Sequence, residues 1–497
     1  MTSSSPFVRP DRNTVLIAVL ALFVIVGGLI AALLVLTPAA PEAFALDPST
    51  VVAPYGQDEL QPGAIHEVSL VAAAGTMRLN GVDVENVWSF NGSVPGPEIR
   101  IRLGDTVRVT VQNDLDVATA VHWHGIRVPN GMDGVPGITQ EPIEPGASFV
   151  YEFTPPDVAT YWYHSHKRGN EQLERGLYGA FVVEDVEPAA YSQDVTLLVD
   201  DWLLDPSGQL DIDFDSSEDL HHNGRWGDTF SVNAEILPAL AAAPGERLRL
   251  RLVNASNGRI YQLQFGELDA VAIAMDGFYV DQPLQANGLE IAPGNRVDID
   301  VTIPVDATGS FVIADSLFSF SPVPLMTVEV AGDPVDPPTF APPTTPVPDW
   351  SDAAEWEPNG TFALSLIGDE DTSNDQPTGL AGDAGGIFGW AINGRAWPDH
   401  QTHVATVGQA EKLRFVNESG AFHPMHLHGQ FFQVVARNGV PVREGHFRDT
   451  VLLNATDTVD IVVVPTDVGV WALHCHIQLH AEYGMFTLYE VKENNLG

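Results

Sequence analysis

Ten of the sixteen histidines in this 497-residue chain lie in four short clusters. The clusters occupy residues 122–124, 164–166, 423–428 and 474–480, and each contains one His-x-His pair. Side chains at positions i and i+2 of a β-strand project from the same face, so each pair directs two imidazoles to one place. Imidazole is a common ligand of transition metals, and the spacing therefore predicts metal sites assembled from several segments.

The last cluster also contains the single cysteine of the chain, Cys475. On a strand its side chain points away from the two histidines that flank it, toward a second place. Together with His423, His480 and, further on, Met485, it supplies two imidazoles, a thiolate and a weak axial thioether. This ligand set is typical of blue copper.

The other eight clustered histidines cannot share one ion, and they indicate a cluster of several coppers. Zinc is the alternative, but it favours closed tetrahedral sites and does not need eight imidazoles. A lone strand histidine is more often a surface or hydrogen-bonded core residue. Four paired clusters, with the only cysteine inside one of them, argue against that interpretation.

The chain is strongly acidic, with 23 Lys and Arg against 66 Asp and Glu and a formal net charge of −43. Such a surface repels phosphates, which excludes nucleic acid as a partner. It suits a protein that meets cations. The length is too great for one ordinary core and suggests about three domains.

A repeated pattern supports three domains. In three places a Gly and an Asn stand nine residues apart around a strand of alternating apolar and polar residues: 104–113, 245–254 and 408–417. Downstream of each, a second strand ends at a proline, Pro155, Pro304 or Pro465. Two landmarks in the same order three times indicate triplication. Short alternating strands between Gly and Pro predict an all-β protein of antiparallel sandwiches.

The repeats place the predicted domains at residues 50–188, 190–333 and 355–497. A Pro-rich segment, 334–354, is predicted to be a stiff linker between the second and third. The first and third domains contain all the clustered histidines, and the second contains none of them.

The N-terminus predicts export. Residues 15–36 carry no charge and no proline and are long enough to cross a bilayer as a helix. Arg9 and Arg12 precede this segment, which predicts a cytoplasmic tail at 1–14 and extracytoplasmic catalytic domains on a single-pass membrane protein. A cleaved signal peptide is the alternative, because residues 43–45 resemble a cleavage site, and the protein is then secreted.

With these motifs, the chain resembles a three-domain multicopper oxidase, the family of laccases, copper-resistance oxidases and ferroxidases. The likeness covers essentially everything after the N-terminal segment, and all four histidine motifs match. It implies three consecutive cupredoxin-like Greek-key β-sandwiches and four copper ions: one type 1, one type 2 and two type 3. It also implies that four one-electron oxidations of a donor are coupled to the reduction of O₂ to water.

The resemblance implies a role for each clustered residue. The type 1 copper is held by His423, Cys475, His480 and Met485. The type 2 copper is held by His122 and His426. The type 3 pair is held by His124, His164, His166, His428, His474 and His476. Because Cys475 is bonded to His474 and His476, this segment gives a through-bond path for electrons. In the second domain the matching position is about Ile313-Ala314-Asp315, so that copy acts as a spacer.

Two acidic residues are candidates for further roles. Asp133 stands where similar bacterial oxidases carry an acidic residue near the type 2 copper, and it is predicted to relay protons; the alternative is an ordinary Asp-Gly turn. Many bacterial relatives carry an acidic residue directly after the last type 1 histidine, but here Ala481 stands there and Glu482 follows. Glu482 is either a proton or cation contact or a solvated carboxylate.

Several alternatives stay open at this stage. The donor is a phenol, an aromatic amine or a metal ion such as Cu(I), Fe(II) or Mn(II). The sequence does not identify which of these it is, because the loops that form the donor pocket carry no readable motif. Copper nitrite reductase is a second enzyme class, and a non-enzymatic cupredoxin relative in cell division or copper sequestration is a third. Three fused domains can build the cluster within one chain, which predicts a monomeric catalytic unit.

Overall fold

The computed structural model describes residues 62–79, 81–216, 219–220, 223–317, 321–350, 352–367 and 389–494. The predicted tail and membrane segment, 1–14 and 15–36, lie outside these residues. Within the described part of the chain no helix is long and apolar enough to cross a membrane. The described residues form thirty strands, two short α-helices and two 3-10 helices, which confirms the all-β prediction.

The strands form six sheets that follow one another along the chain as three pairs. The first pair has the strand orders β2-β1-β4-β6 and β3-β8-β7-β5. Its strands are β1 Ile65–Leu79, β2 Val82–Phe90, β3 Gly96–Arg102, β4 Thr106–Asn113, β5 Val121–His124, β6 Ser148–Phe153, β7 Ala159–Ser165 and β8 Tyr178–Glu184. A 3-10 helix, Asn130–Met132, and helix α1, Gly169–Glu174, lie in its connections.

The middle pair has the orders β10-β9-β12-β17-β14-β15 and β11-β19-β18-β13-β16. Its strands are β9 Gln193–Trp202, β10 Thr229–Val232, β11 Ala239–Ala242, β12 Arg247–Asn254, β13 Tyr261–Gln264, β14 Asp269–Met275, β15 Phe278–Gln285, β16 Glu290–Ile291, β17 Arg296–Thr302, β18 Gly309–Asp315 and β19 Val323–Val330.

The third pair has the orders β21-β20-β23-β28-β25-β26 and β22-β30-β29-β24-β27. A 3-10 helix, Ala353–Glu355, precedes it, and helix α2, Gln478–Glu482, follows β29. Its strands are β20 Gly360–Ile367, β21 Gly389–Ile392, β22 His403–Thr406, β23 Glu411–Asn417, β24 His423–Leu427, β25 Phe432–Arg437, β26 Val440–Pro441, β27 Thr450–Leu453, β28 Thr458–Val463, β29 Gly469–Cys475 and β30 Phe486–Lys492.

Each sheet pair encloses its own apolar core. In the first pair Leu70 and Val109 of one sheet share a buried cluster with Tyr163 and Phe181 of the other. Alternating sequence produces this packing, since every second residue of β4 is buried. The sheet pairs fall within the three domain ranges predicted from the repeat, while the domain limits themselves stay a prediction.

The prediction of antiparallel sandwiches needs one correction, because each of the six sheets also contains one parallel strand pair among those described. In the first pair the chain forms β1 and β2, crosses to the other sheet as β3, and returns as β4 beside β1. The crossing brings β4 back in the direction of β1, so these two strands run parallel.

The repeated asparagines have one structural role. The side-chain amide of Asn113 donates to the carbonyl oxygens of Val117 and Ile143, and its Oδ1 accepts from the N–H of Leu115. The amides of Asn254 and Asn417 make the same three kinds of hydrogen bond after β12 and β23. Each satisfies backbone groups at a buried turn, which explains why Asn recurs.

The predicted match to the cysteine segment needs a correction. Strands β18 and β29 hold the same place in their sheets and both begin with a glycine. Counted from that glycine, Asp315 takes the position of Cys475, so the match is shifted by one residue from Ile313-Ala314-Asp315. The neighbouring strands agree with this match, since Asp315 lies opposite Leu263 of β13 and Cys475 lies opposite Met425 of β24.

Candidate metal centre

All ten clustered histidines and Cys475 come together at two places. Their ligand atoms form four groups in which every atom lies within 4.8 Å of the others. The groups are His122, His124 and His426; His124, His164 and His476; His166, His428 and His474; and His423, Cys475 and His480. The first three share members or adjoin one another, and the fourth is separate, as the spacing predicted.

Strand register brings the imidazoles together. In the first sheet pair β5 and β7 place His122 opposite His164. In the third pair β24 and β29 place His426 opposite His474. The two sheet pairs meet at these strand ends, where the rings of His122 and His428 stack with centroids 3.8 Å apart. Each pair thus contributes half of the larger group.

Three ring nitrogens in this group are buried and have no hydrogen-bond partner: Nε2 of His122, His164 and His426. The opposite ring nitrogens are occupied. His122 Nδ1 donates to the carbonyl oxygen of Asp133 at 2.8 Å, and His426 Nδ1 donates to that of Asp449 at 3.0 Å. The proton therefore sits on Nδ1, and each Nε2 presents a lone pair to the group. A buried lone pair without a donor costs free energy, and a metal ion would satisfy it.

Burial favours the neutral form of three histidines in this group, His124, His474 and His476. Loss of solvent, together with neighbouring imidazoles, lowers the pKa of His124 and His476 well below the ordinary value. The same causes lower the pKa of His474 to about 3. Neutral imidazole is the form that binds metal, so these three side chains are in the metal-binding form near neutral pH.

The second place lies around Cys475, which is fully buried. Its Sγ is 3.7 Å from Nδ1 of both His423 and His480, and those two nitrogens are 3.2 Å apart. Burial raises the pKa of the Cys475 thiol, so a cation is needed to favour the thiolate. Met485 is buried in the same cluster, and its carbonyl oxygen accepts from the N–H of Cys475 at 3.1 Å.

Asp133 lies against two of the predicted ligands. Its carboxylate accepts from Nδ1 of His428 at 3.0 Å, while its carbonyl oxygen accepts from His122. The side chain is 1% exposed. Asp133 therefore connects a histidine of the third sheet pair with a histidine of the first.

A cavity of about 230 Å³ reaches the larger group from outside. Its wall includes His166, His474, Glu482, Trp397 and Phe486. Glu482 is partly buried here, and burial raises the pKa of its carboxyl group. The two roles predicted for Glu482, a proton or cation contact and a solvated carboxylate, both stay predictions.

Sequence reasoning missed Asp449, whose carboxylate lies 3.3 Å from Nε2 of His124. It also missed Arg296, which pairs with Asp449 at 2.6 Å. Neither belongs to a spaced motif. The only sequence signal is that Asp449 lies in a run of charge directly before the buried strand β27.

Sequence models of multicopper oxidase domains match residues 72–188, 193–330 and 369–495. The chain is 30% identical to multicopper oxidase MmcO of Mycobacterium tuberculosis, over 82% of this chain and 83% of that protein. It is 24% identical to copper resistance protein A of Escherichia coli, over 82% and 89%.

Among solved structures, a multi-copper oxidase from Pseudomonas thermotolerans superimposes with a TM-score of 0.74 at 29% identity. The match covers 87% of this chain and all of that one. A multi-copper oxidase from Pseudomonas parafulva gives a TM-score of 0.73 at 30% identity, over 86% of this chain and all of that one. The chain belongs to the multicopper oxidase family.

Proposed function

We propose that the clustered histidines, Cys475 and Met485 hold the four copper ions of this multicopper oxidase. His423, Cys475, His480 and Met485 hold the type 1 copper. His122 and His426 hold the type 2 copper. The type 3 pair is held by His124, His164, His166, His428, His474 and His476. The observation that carries this assignment is the convergence of buried Nε2 atoms without hydrogen-bond partners from strands far apart in the sequence.

The chain is a copper-dependent oxidoreductase that couples four one-electron oxidations to the reduction of O₂ to water. Copper, when bound, supplies the one-electron steps that amino-acid side chains do not. The protein sets the distances between the copper ions, excludes water from them and provides a path for electrons between the two sites. Cys475 is covalently continuous with His474 and His476, so the backbone joins the two copper places by a few bonds.

Asp133 relays protons to the larger group in this proposal. Formation of two water molecules from O₂ takes four protons at a buried place, and a carboxylate within hydrogen-bond reach is suited to hand them on. Asp133 is buried and hydrogen-bonded to His428. Its alternative role is to hold the loop after β5 and the ring of His428.

The donor is a phenol, an aromatic amine or a metal ion. Relatives of this chain are named copper resistance protein A and iron transport multicopper oxidase FET3, and these names support a metal-ion donor. Glu482 is a candidate cation contact at the cavity wall. Steady-state oxygen uptake with a panel of phenols, aromatic amines, Cu(I), Fe(II) and Mn(II) identifies the class with the largest kcat/KM.

Copper content and colour test the assignment. We expect about four coppers per chain and the intense blue absorption of a Cys-ligated copper. A colourless, copper-poor protein after loading contradicts the assignment and favours a cupredoxin relative without catalysis. Copper nitrite reductase is not favoured, because the relatives are multicopper oxidases.

Residues 15–36 anchor the chain in this proposal, with a cytoplasmic tail at 1–14 and catalytic domains 50–188, 190–333 and 355–497 outside the cytoplasm. The catalytic unit is a monomer. Fractionation of the full chain against a chain lacking residues 1–50 tests the anchor. Recovery of the full chain in the soluble fraction, shortened at residue 45, indicates a cleaved signal peptide instead.

A further inference from the structure

We propose that the middle sheet pair, which supplies none of the copper ligands assigned above, positions the histidines of the larger group through Arg296 and Gly294. This inference rests on the proposed ligand assignment and goes beyond it. Arg296 acts through the carboxylate of Asp449, and Gly294 acts by direct contact with two imidazoles. The middle pair is then part of the metal centre rather than the spacer that the sequence predicted.

Arg296 begins β17 and has no exposed surface. All five of its N–H groups donate hydrogen bonds. Nε donates to the carbonyl oxygen of Thr160 at 3.2 Å; Nη1 donates to the carbonyl oxygen of Gly294 at 3.1 Å and to Oδ1 of Asp449 at 2.8 Å. Nη2 donates to the carbonyl oxygen of Asp276 at 2.8 Å and to Oδ2 of Asp449 at 2.6 Å. One guanidinium therefore joins all three sheet pairs.

The two parallel bonds from Arg296 fix the plane of the Asp449 carboxylate. That carboxylate accepts from Nε2 of His124 at 3.3 Å and from Oγ1 of Thr450 at 2.8 Å. The carbonyl oxygen of Asp449 accepts from Nδ1 of His426 at 3.0 Å. Hydrogen bonds to the far nitrogen of a ligand histidine set its tautomer and ring orientation. Asp449 thus orients one histidine from the first sheet pair and one from the third.

The middle pair also holds the backbone of this segment. Asp276, which directly follows β14, accepts at Oδ2 from the N–H of Asp449 at 3.4 Å and of Thr450 at 3.3 Å. Asn295 Nδ2 donates to the carbonyl oxygen of Thr450 at 3.0 Å and to Oδ1 of Asp276 at 3.0 Å. The carboxylate that faces the histidines cannot shift without breaking several of these contacts.

Gly294 packs directly on two rings of the group. Its φ is +87°, and a Cβ placed there lies 2.9 Å from Cε1 of His124 and 3.0 Å from Cδ2 of His476. Contacts that short are not tolerated, so the absence of a side chain lets the turn before β17 press against both imidazoles. This contact is a second way in which the middle pair reaches the histidines.

Arg251 provides a control that distinguishes positioning of the histidines from a purely structural role between sheet pairs. It is also buried, 2% exposed, and also lies in the middle pair. It pairs with Asp194 and Asp298 and donates to Oγ1 of Thr160 at 2.8 Å. It contacts no clustered histidine among its described partners. If Arg296 only braces the fold, Arg296→Lys and Arg251→Lys have similar consequences.

The experiment compares the full chain with Arg296→Lys and Arg251→Lys after copper loading and dialysis against a copper chelator. Readouts are copper per chain, the electron paramagnetic resonance signal of the non-blue copper and the blue absorption. The wild type must first bind four coppers; if it does not, the ligand assignment fails and not this inference. We expect Arg296→Lys to hold the non-blue coppers about 10–100-fold more weakly with its blue absorption intact. Arg251→Lys retains all four.

Wild-type copper retention and an unchanged resonance signal in folded Arg296→Lys overturn the proposal, as does equal copper loss in Arg251→Lys. If Arg296→Lys does not fold, Gly294→Ala decides. Its control is Gly288→Ala, because Gly288 has a similar φ of +83° and nothing within 4 Å of a Cβ. Both variants bear the same backbone strain, and only Gly294→Ala is expected to alter the resonance signal. Identical signals in the two variants overturn the proposal.

Discussion

Strands β29 and β18 have the same place in the sheets of the third and middle pairs, yet only β29 carries residues of the proposed type 1 copper site. Strand β29 ends at Cys475, whose Sγ lies 3.7 Å from two imidazole nitrogens. Strand β18 ends at Asp315, whose carboxylate accepts from the backbone N–H groups of Gln262 at 2.8 Å and Leu317 at 3.1 Å. The end of β29 therefore lies beside other potential metal ligands, whereas the carboxylate at the end of β18 is hydrogen-bonded to nearby backbone groups.

The difference shows how two copies of the same fold can differ in their ability to bind metal. A buried carboxylate with backbone donors stabilises a turn and needs no further partner. Buried imidazoles whose Nε2 atoms lack donors are costly without a cation. The first and third pairs present three such Nε2 atoms, of His122, His164 and His426, whereas Asp315 in the middle pair has backbone donors.

The largest expected effect comes from substituting the last residue of β29, with the last residue of β18 as the comparison. Cys475→Ser removes the thiolate, so we expect loss of the blue absorption and a fall in oxygen uptake of more than about 100-fold. This fall exceeds the effect of removing a residue that only hydrogen-bonds to a metal ligand. Asp315→Asn is the matched change in β18 and should leave colour and activity unchanged. Blue colour in Cys475→Ser, or its loss in Asp315→Asn, contradicts the comparison.

The next effect concerns protons at the larger group. Asp133→Asn keeps the shape of the side chain but removes its ability to relay protons. Copper content, blue colour and reduction by the donor should be unchanged, while reoxidation by O₂ slows by about 10²-fold or more and most severely at high pH, where protons are scarce. Stopped-flow reoxidation measures this directly. Wild-type rates at every pH assign Asp133 to the loop alone.

A smaller effect concerns the stability of the third pair in acid. Burial opposes ionisation of Glu444, but Arg448 and Arg437 prevail and lower its pKa to about 2. Because the folded pKa lies below the unfolded value of about 4.3, the stabilisation is present above pH 4.3 and is lost as pH falls toward 2. The loss is about 3 kcal/mol at most. Thermal unfolding at several pH values should show this loss of stability in the wild type but not in Glu444→Gln. Equal dependence of the melting temperature on pH in the two proteins contradicts the prediction.

The sequence predicted the all-β class and the convergence of the histidines because both depend on local patterns. Alternation within a strand determines which face is buried, and His-x-His fixes two ligands on that face. Arg296 and Asp449 could not be predicted in this way. They are 153 residues apart and meet only after three sheet pairs have packed, so no spacing reports their contact. The match at Asp315 also depends on the strand bounds of the structure, since the sequence of β18 has none of the histidines that mark the end of β29.

The smallest predicted effect tests the axial position at the type 1 site. Met485 is fully buried next to the cysteine segment, and its N–H donates to the carbonyl oxygen of His480 at 2.9 Å. A thioether donates weakly to copper and stabilises the oxidised ion, so Met485→Leu should raise the type 1 potential by some tens of millivolts. Redox titration of the blue absorption measures it. Met326→Leu, a buried methionine in the middle pair, is the control and should leave the potential unchanged. An unchanged potential in Met485→Leu removes the thioether from the ligand set and leaves Met485 as a core residue, like Met326.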